Sequence, residues 1–89
     1  MKIQILTPED TIFDGEVSSV IIPGLHGEFQ MLENHAAIVS ALTSGKIKIE
    51  SIISSSVNKN LTKEGKFDTY LIKGGILEFN NNKGIILCD

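Results

Sequence analysis

Two histidines, His26 and His35, lie nine residues apart with Glu28 and Glu33 between them. Imidazole with carboxylate is a set that can bind a divalent metal or move protons. Paired ligands on a helix sit four residues apart on one face, a spacing this pair does not have. Two histidines with scattered carboxylates therefore read as surface and core residues, with no metal. The single thiol, Cys88, sits in the apolar run Ile85–Cys88, a setting that keeps a thiol protonated and inert. With one Cys, an intrachain disulfide and a Cys-based zinc site are both excluded. Eight serines supply hydroxyls, but none stands in a Gly-x-Ser-x-Gly elbow. Glu9-Asp10 and Glu28/Glu33 are carboxylate pairs without a nucleophile or an orienting partner. Gly45-Lys46 fails as a phosphate loop, because Ser40 stands where the first Gly belongs and Ile47 where a hydroxyl must reach magnesium. Gly24-x-x-Gly27 has the spacing of an RNA-clamping loop but lacks the flanking helices and basic surface. The reading is of a chain with no catalytic residues and no cofactor.

These residues must be carried by a small fold. The chain has 89 residues, which is one domain spanning 1–89, since two would each fall below what a single core stabilises. Without a disulfide, stability must come from an apolar core. There are 14 Ile and 4 Val against 3 Ala, a balance that favours pleated strands over helices. All 8 basic residues are Lys and the net charge is −3, so the chain lacks Arg for bidentate phosphate or guanine contacts. Nucleic acid is excluded as a partner on those grounds. No apolar run is long enough for a signal peptide or a membrane span, and the expectation is a cytosolic protein. Asn60-Leu61-Thr62 matches a glycosylation pattern that, without a secretion signal, reads as chance.

Turn chemistry cuts the chain into strands. Lys2–Thr7 reads as a strand stopped by Thr7-Pro8-Glu9-Asp10. Thr11–Asp14 follows, then Gly15 marks a bulge or bend before Glu16–Ile22 resumes. Pro23-Gly24 and Gly24-Leu25-His26-Gly27 make a turn into Glu28–Leu32. Ala36–Leu42 fits a short helix or a strand. Lys46-Ile47-Lys48-Ile49-Glu50 alternates strictly, as a strand with one dry and one wet face does. Ser54–Gly65 has no pattern and reads as a hairpin connection. Lys66–Lys73, Ile76–Phe79 and Ile85–Cys88 are further strands, with a bend at Gly74-Gly75 and a turn over Asn80–Gly84. Strands at short spacing with tight turns indicate an all-β sandwich or barrel with mostly antiparallel pairing.

Pro23–Ala36 is the tract richest in specific signals. Its glycines let the backbone turn sharply while Glu28 projects from the rim and Phe29 anchors inward. Loops held on a rigid sheet are where binding residues concentrate. The residues alone fit either a binding loop or a compact turn that closes the end of a sandwich.

In order along the chain stand Ile12-Phe13-Asp14-Gly15-Glu16-Val17, Val20-Ile21-Ile22-Pro23-Gly24, Gly27-Glu28-Phe29, Asn34-His35-Ala36 and Gly74-Gly75-Ile76-Leu77-Glu78. The series resembles the epsilon subunit of the bacterial-type rotary (F-type) ATP synthase, called delta in mitochondria. It covers nearly the whole chain, thinning between Ser51 and Lys66. Each motif is weak singly, and the ordered set is specific. Gln30, Glu33 and Ala37 replace the Gly, Pro and Pro usual in the family.

The resemblance implies a flattened ten-stranded β-sandwich of two five-stranded sheets that docks on the gamma subunit and on the polar loops of the membrane c-ring. It implies a non-catalytic rotor subunit of the central stalk on the cytoplasmic face of the bacterial inner membrane, coupling ion-driven rotation to ATP synthesis. By position, Glu28, with Glu33 beside it, is expected at the c-ring. Phe29, Met31, Leu32, His35, Ala36, Leu42, Tyr70 and Leu77 are expected at gamma and the rotor, with the affinity for gamma coming from apolar residues of the Phe29–Leu42 and Lys66–Phe79 regions. Most members continue into a C-terminal helical hairpin that restrains ATP hydrolysis and in some binds ATP. A polypeptide ending at Asp89 is expected to do neither. The competing reading is a free-standing β-sandwich that grips a ligand with its Gly24–His35 loop. A small hydrolase built on Glu28 and His35 has no nucleophile.

Overall fold

The computed structural model describes residues 1–89 and consists of nine strands with no helix. They are β1 (Lys2–Leu6), β2 (Thr11–Gly24), β3 (Gly27–Leu32), β4 (Ile38–Leu42), β5 (Gly45–Asn58), β6 (Thr62–Glu64), β7 (Phe67–Ile72), β8 (Gly75–Asn80) and β9 (Lys83–Cys88). The ambiguous Ala36–Leu42 segment resolves as a strand beginning at Ile38. All pairings are antiparallel except β1 with β9.

The expected ten strands are found as nine, because β2 is a single 14-residue strand that serves both layers. Its first half pairs with β1 over Thr11–Glu16, and its second half pairs with β3 over Ser19–Gly24. One layer is therefore β4-β8-β9-β1 with the first half of β2; the other is β3, the second half of β2, β5, β7 and β6. The hydrogen-bonded network is continuous through the shared strand. Register shifts at Asp14/Gly15 and Glu16/Val17 let β2 bend from one layer to the other. Gly15 is required at that crossing, since a Cβ there would run into the carbonyl of Ser54. Cα extents of 27 × 27 × 26 Å make the molecule as thick as it is wide, where a flattened body was expected.

Ser54–Gly65 is not a loop. Residues up to Asn58 continue β5 and pair with β2, and Thr62–Glu64 form β6. Ser54, Ser55 and Ser56 are all exposed and only Val57 and Leu61 of the segment are partly covered, so little of a buried face is written into its sequence. Backbone hydrogen bonds hold it there.

Seventeen buried hydrophobic residues form one core between the layers, among them Ile3, Ile5, Phe13, Val20, Ile22, Ile47, Ile49, Phe79 and Ile86. Alternation places them: Ile47 and Ile49 point inward while Lys46, Lys48 and Glu50 do not. The buried polar residues are satisfied, with the Ser19 hydroxyl accepting from Gln30 at 2.7 Å and the Thr69 hydroxyl donating to the Thr62 carbonyl at 3.0 Å. Asn81 and Asn82, both at positive φ (52° and 61°), form a two-residue turn between β8 and β9.

Candidate interaction surfaces

The Gly24–His35 tract is the β2–β3 hairpin and the loop that leaves it. Leu25 and His26 form the exposed tip. Gly24 is needed there because a Cβ would meet the Gly27 carbonyl and the Phe29 ring, each at 2.8 Å. Glu28 lies beside Pro23 in register and places its carboxylate 3.3 Å from the Lys48 ammonium on β5.

Glu33 is at the other end of β3, about 16 Å of strand away at roughly 3.3 Å per residue. Its carboxylate meets the α-amino group of Met1 and accepts from the Asn82 side chain at 2.8 Å. The two carboxylates thus stand at opposite ends of β3, each with its own cation. His26 and His35 are separated by the same strand, so the His/Glu set does not converge. The loop after β3 is braced internally. Asn34, at φ 62°, donates its backbone N–H to Asn82 Oδ1 at 2.8 Å. His35 Nδ1 lies 2.7 Å from the Ala36 carbonyl and so carries the proton, while the ring packs edge-on to Phe79 at 6.0 Å.

Three residues expected at gamma are in the core. Met31 and Leu77 are fully buried and Leu42 is 5% exposed. The physical reason is the strand period of two: each points inward from a strand whose neighbours point outward, and the sequence does not state which parity faces in. Phe29 is half-buried against the core, and Leu32 and Ala36 are exposed. Tyr70 does not join them. It lines a separate hollow with Thr7–Asp10, Asn60 and Asp89, where burial, more than the nearby Cys88 and Asp89, raises the phenol above its ordinary range. Cys88 is buried with its thiol 3.5 Å from the Leu6 carbonyl; burial first, and Asp89 second, push its pKa up, so it stays a thiol.

The regions expected at gamma take in β4 and most of β8, but the sequence reading named none of the residues on the outer face of the β4-β8-β9-β1 layer and left β9 out. Cross-strand pairing aligns Ala41, Ile76, Leu87 and Leu6 in one row, and Val39, Glu78, Ile85 and Gln4 in the next. Val39 is 66%, Ile76 40% and Leu87 46% exposed. An open hollow of about 490 Å³ lies at one end of this face, floored by Ile38, Val39, Phe79 and Ile85. The available signal was in Ile38–Leu42 and Ile85–Cys88, apolar at nearly every position, as strands covered on both faces are. The opposite outer face carries ion pairs, Lys46–Glu64 at 2.7 Å, Lys66–Glu50 at 3.3 Å and Lys48–Glu28, around the exposed Leu71.

Over residues 1–89 the chain matches the family described as "ATP synthase, Delta/Epsilon chain, beta-sandwich domain". The chain belongs to that family. The epsilon chain of the ATP synthase of Chlorobium limicola is 39% identical over 88 residues, covering 99% of this chain and 88% of the relative. That of Campylobacter concisus is 37% identical over the whole chain, which spans 60% of the relative's length. Among solved structures, the central stalk and c-ring of the Tetrahymena thermophila mitochondrial ATP synthase contains a chain alike at TM-score 0.71 and 20% identity, covering 99% of this chain and 62% of that one. A chain in the Euglena gracilis mitochondrial enzyme matches at TM-score 0.75 and 24% identity, covering 97% and 48%. These likenesses concern the fold, the family's β-sandwich. No helix is long and apolar enough to cross a membrane.

Proposed function

We propose that the chain is a central-stalk rotor subunit of a proton-translocating F-type ATP synthase, a clamp between gamma and the c-ring that makes gamma turn with the ring. It is non-catalytic and sits peripherally on the cytoplasmic face of the bacterial inner membrane. The observation that carries this reading is the pair of unlike outer faces on one rigid body of an ATP synthase epsilon family member. A clamp must resist strain, and a close-packed sandwich does so because its interior has few voids. It also needs one surface that holds and one that orients.

The apolar β4-β8-β9 face is the holding surface, and gamma is its partner. Burying a Val, Leu or Ile side chain contributes about 1.5–3 kcal/mol relative to full exposure, so a few of these half-exposed residues supply a stable contact. The exposed hydrophobic residues at the loop side, Leu32 and Ala36, extend it. Glu28, on the hairpin rim, is the orienting contact and pairs with basic residues on the c-ring loops. An exposed ion pair contributes only ~0–1 kcal/mol and weakens with salt. Glu33, held by the amino terminus and Asn82, braces the loop rather than meeting the ring.

The test is co-expression with a gamma subunit, followed by size exclusion. A stable one-to-one complex is expected. Migration as separate species would overturn the clamp and return the chain to the ligand-binding reading of the Gly24–His35 loop.

A further inference from the structure

Seven carboxylates lie within strands, and six of them have a cation within 4.0 Å. Asp14 faces Lys2, Glu16 the α-amino group, Glu28 Lys48, Glu50 Lys66, Glu64 Lys46 and Asp68 Lys63. Glu78 is the exception, without an ion-pair or hydrogen-bond partner for its side chain. Its place is equally unusual. On β8 it stands between Val39 of β4 and Ile85 of β9, directly across on either side, with Ile76 two residues before it on the same face. Lys83 lines the same hollow from the β8–β9 turn but lies outside ion-pair distance. Elsewhere a lysine, or for Glu16 the α-amino group, lies within ion-pair distance of each strand carboxylate; on the apolar face the carboxylate stands alone.

Resting on the reading that gamma covers this face, we propose that the gamma segment docked on it brings a lysine or arginine onto Glu78. Apolar neighbours around the carboxylate make the contact a partly desolvated one. A protein covering Val39, Ile76 and Ile85 also takes water away from Glu78, and a charge that loses water without gaining a partner costs affinity. One cation set among apolar side chains removes that cost and fixes which residue of the partner lies over β8. The apolar rows supply attraction without register, since they are alike along the strands; the single charge supplies the register.

The sign of the effect tests the idea. Glu78→Gln keeps the shape of the side chain and removes the charge, at an exposed position where folding is unaffected; thermal melting checks that. Binding to gamma is measured by titration calorimetry at low and moderate salt, beside Val39→Asp as the control for the face. The expected result is about tenfold weaker binding for Glu78→Gln with a shallower salt dependence, and at least a hundredfold loss for Val39→Asp. If Glu78→Gln binds as well as the parent chain or more tightly while Val39→Asp fails, no cation meets Glu78 and the proposal falls, but gamma still covers the face. If Val39→Asp also binds normally, gamma docks elsewhere, and both readings fall.

Discussion

The two outer faces of the sandwich are built from strands of the same kind and serve opposite ends. On β5, Lys46, Lys48 and Glu50 point outward and each finds an opposite charge. Lys46 pairs with Glu64 of β6, Lys48 with Glu28 of β3 and Glu50 with Lys66 of the β6–β7 turn, with Leu71 of β7 the exposed apolar residue among them. On β4, β8 and β9, outward positions are Val39, Ile76 and Leu87, and the face is left uncovered. Both faces rest on one shared core, so the difference is not about stability of the fold. A paired charged face is finished in water. An apolar face is finished only when something is placed on it.

The comparison is broken most severely by altering what lies beneath both faces. Leu77→Ala removes a fully buried side chain between Ile76 and Glu78. It should cost about 2–5 kcal/mol of stability in urea denaturation, the range of large-to-small core changes. A loss below 1 kcal/mol would return Leu77 to the list of surface contacts. Next in size, Val39→Asp should leave stability within about 0.5 kcal/mol, as surface changes do, yet abolish co-purification with gamma. Glu28→Lys, on the charged side, should weaken cross-linking to the c-ring several-fold and leave gamma binding intact. Unchanged ring cross-linking would sink the assignment of Glu28.

The smallest effect concerns pH. The hydrogen bond from Lys46 holds the Glu64 carboxyl below its ordinary range, against a smaller opposing effect of desolvation, and Lys59 does the same for Asp10. A depressed folded-state pKa means that the stabilisation is complete above the ordinary carboxylate range and is lost as pH falls through and below it. Replacing Glu64 by Gln should therefore lower the melting temperature slightly at neutral pH, with the difference from the parent chain disappearing in acid and the acid limb flattened accordingly. A shift in acid as large as that at neutral pH would contradict this origin.

Much of the fold was legible because its signals are local. The alternation of Lys46–Glu50 named a half-buried strand, Asn80–Gly84 named a turn, and Gly15 named a bend. The segment Ser54–Asn58 was illegible for a physical reason: it lies at the rim of the molecule with serines exposed, and its place is fixed by backbone hydrogen bonds to Asp14–Glu16 that side chains do not encode. The candidate contact residues were half legible. Parity along a strand says that Met31 and Leu32 face opposite ways, yet only the assembled layers say that Met31 faces in. The uncovered face was not legible as one surface, because its members come from three strands distant in sequence and only register brings Ala41, Ile76 and Leu87 into line.

The shared strand β2 also determines how a load travels. A sandwich made of two separate sheets would transmit twist between them by side chains sliding or catching across the core. Here the strand that carries the Gly24–Gly27 hairpin in one layer continues, unbroken, to its pairing with β1 in the other. A pull at the hairpin reaches the second layer along peptide bonds, so little of a rotational step is lost as internal slip.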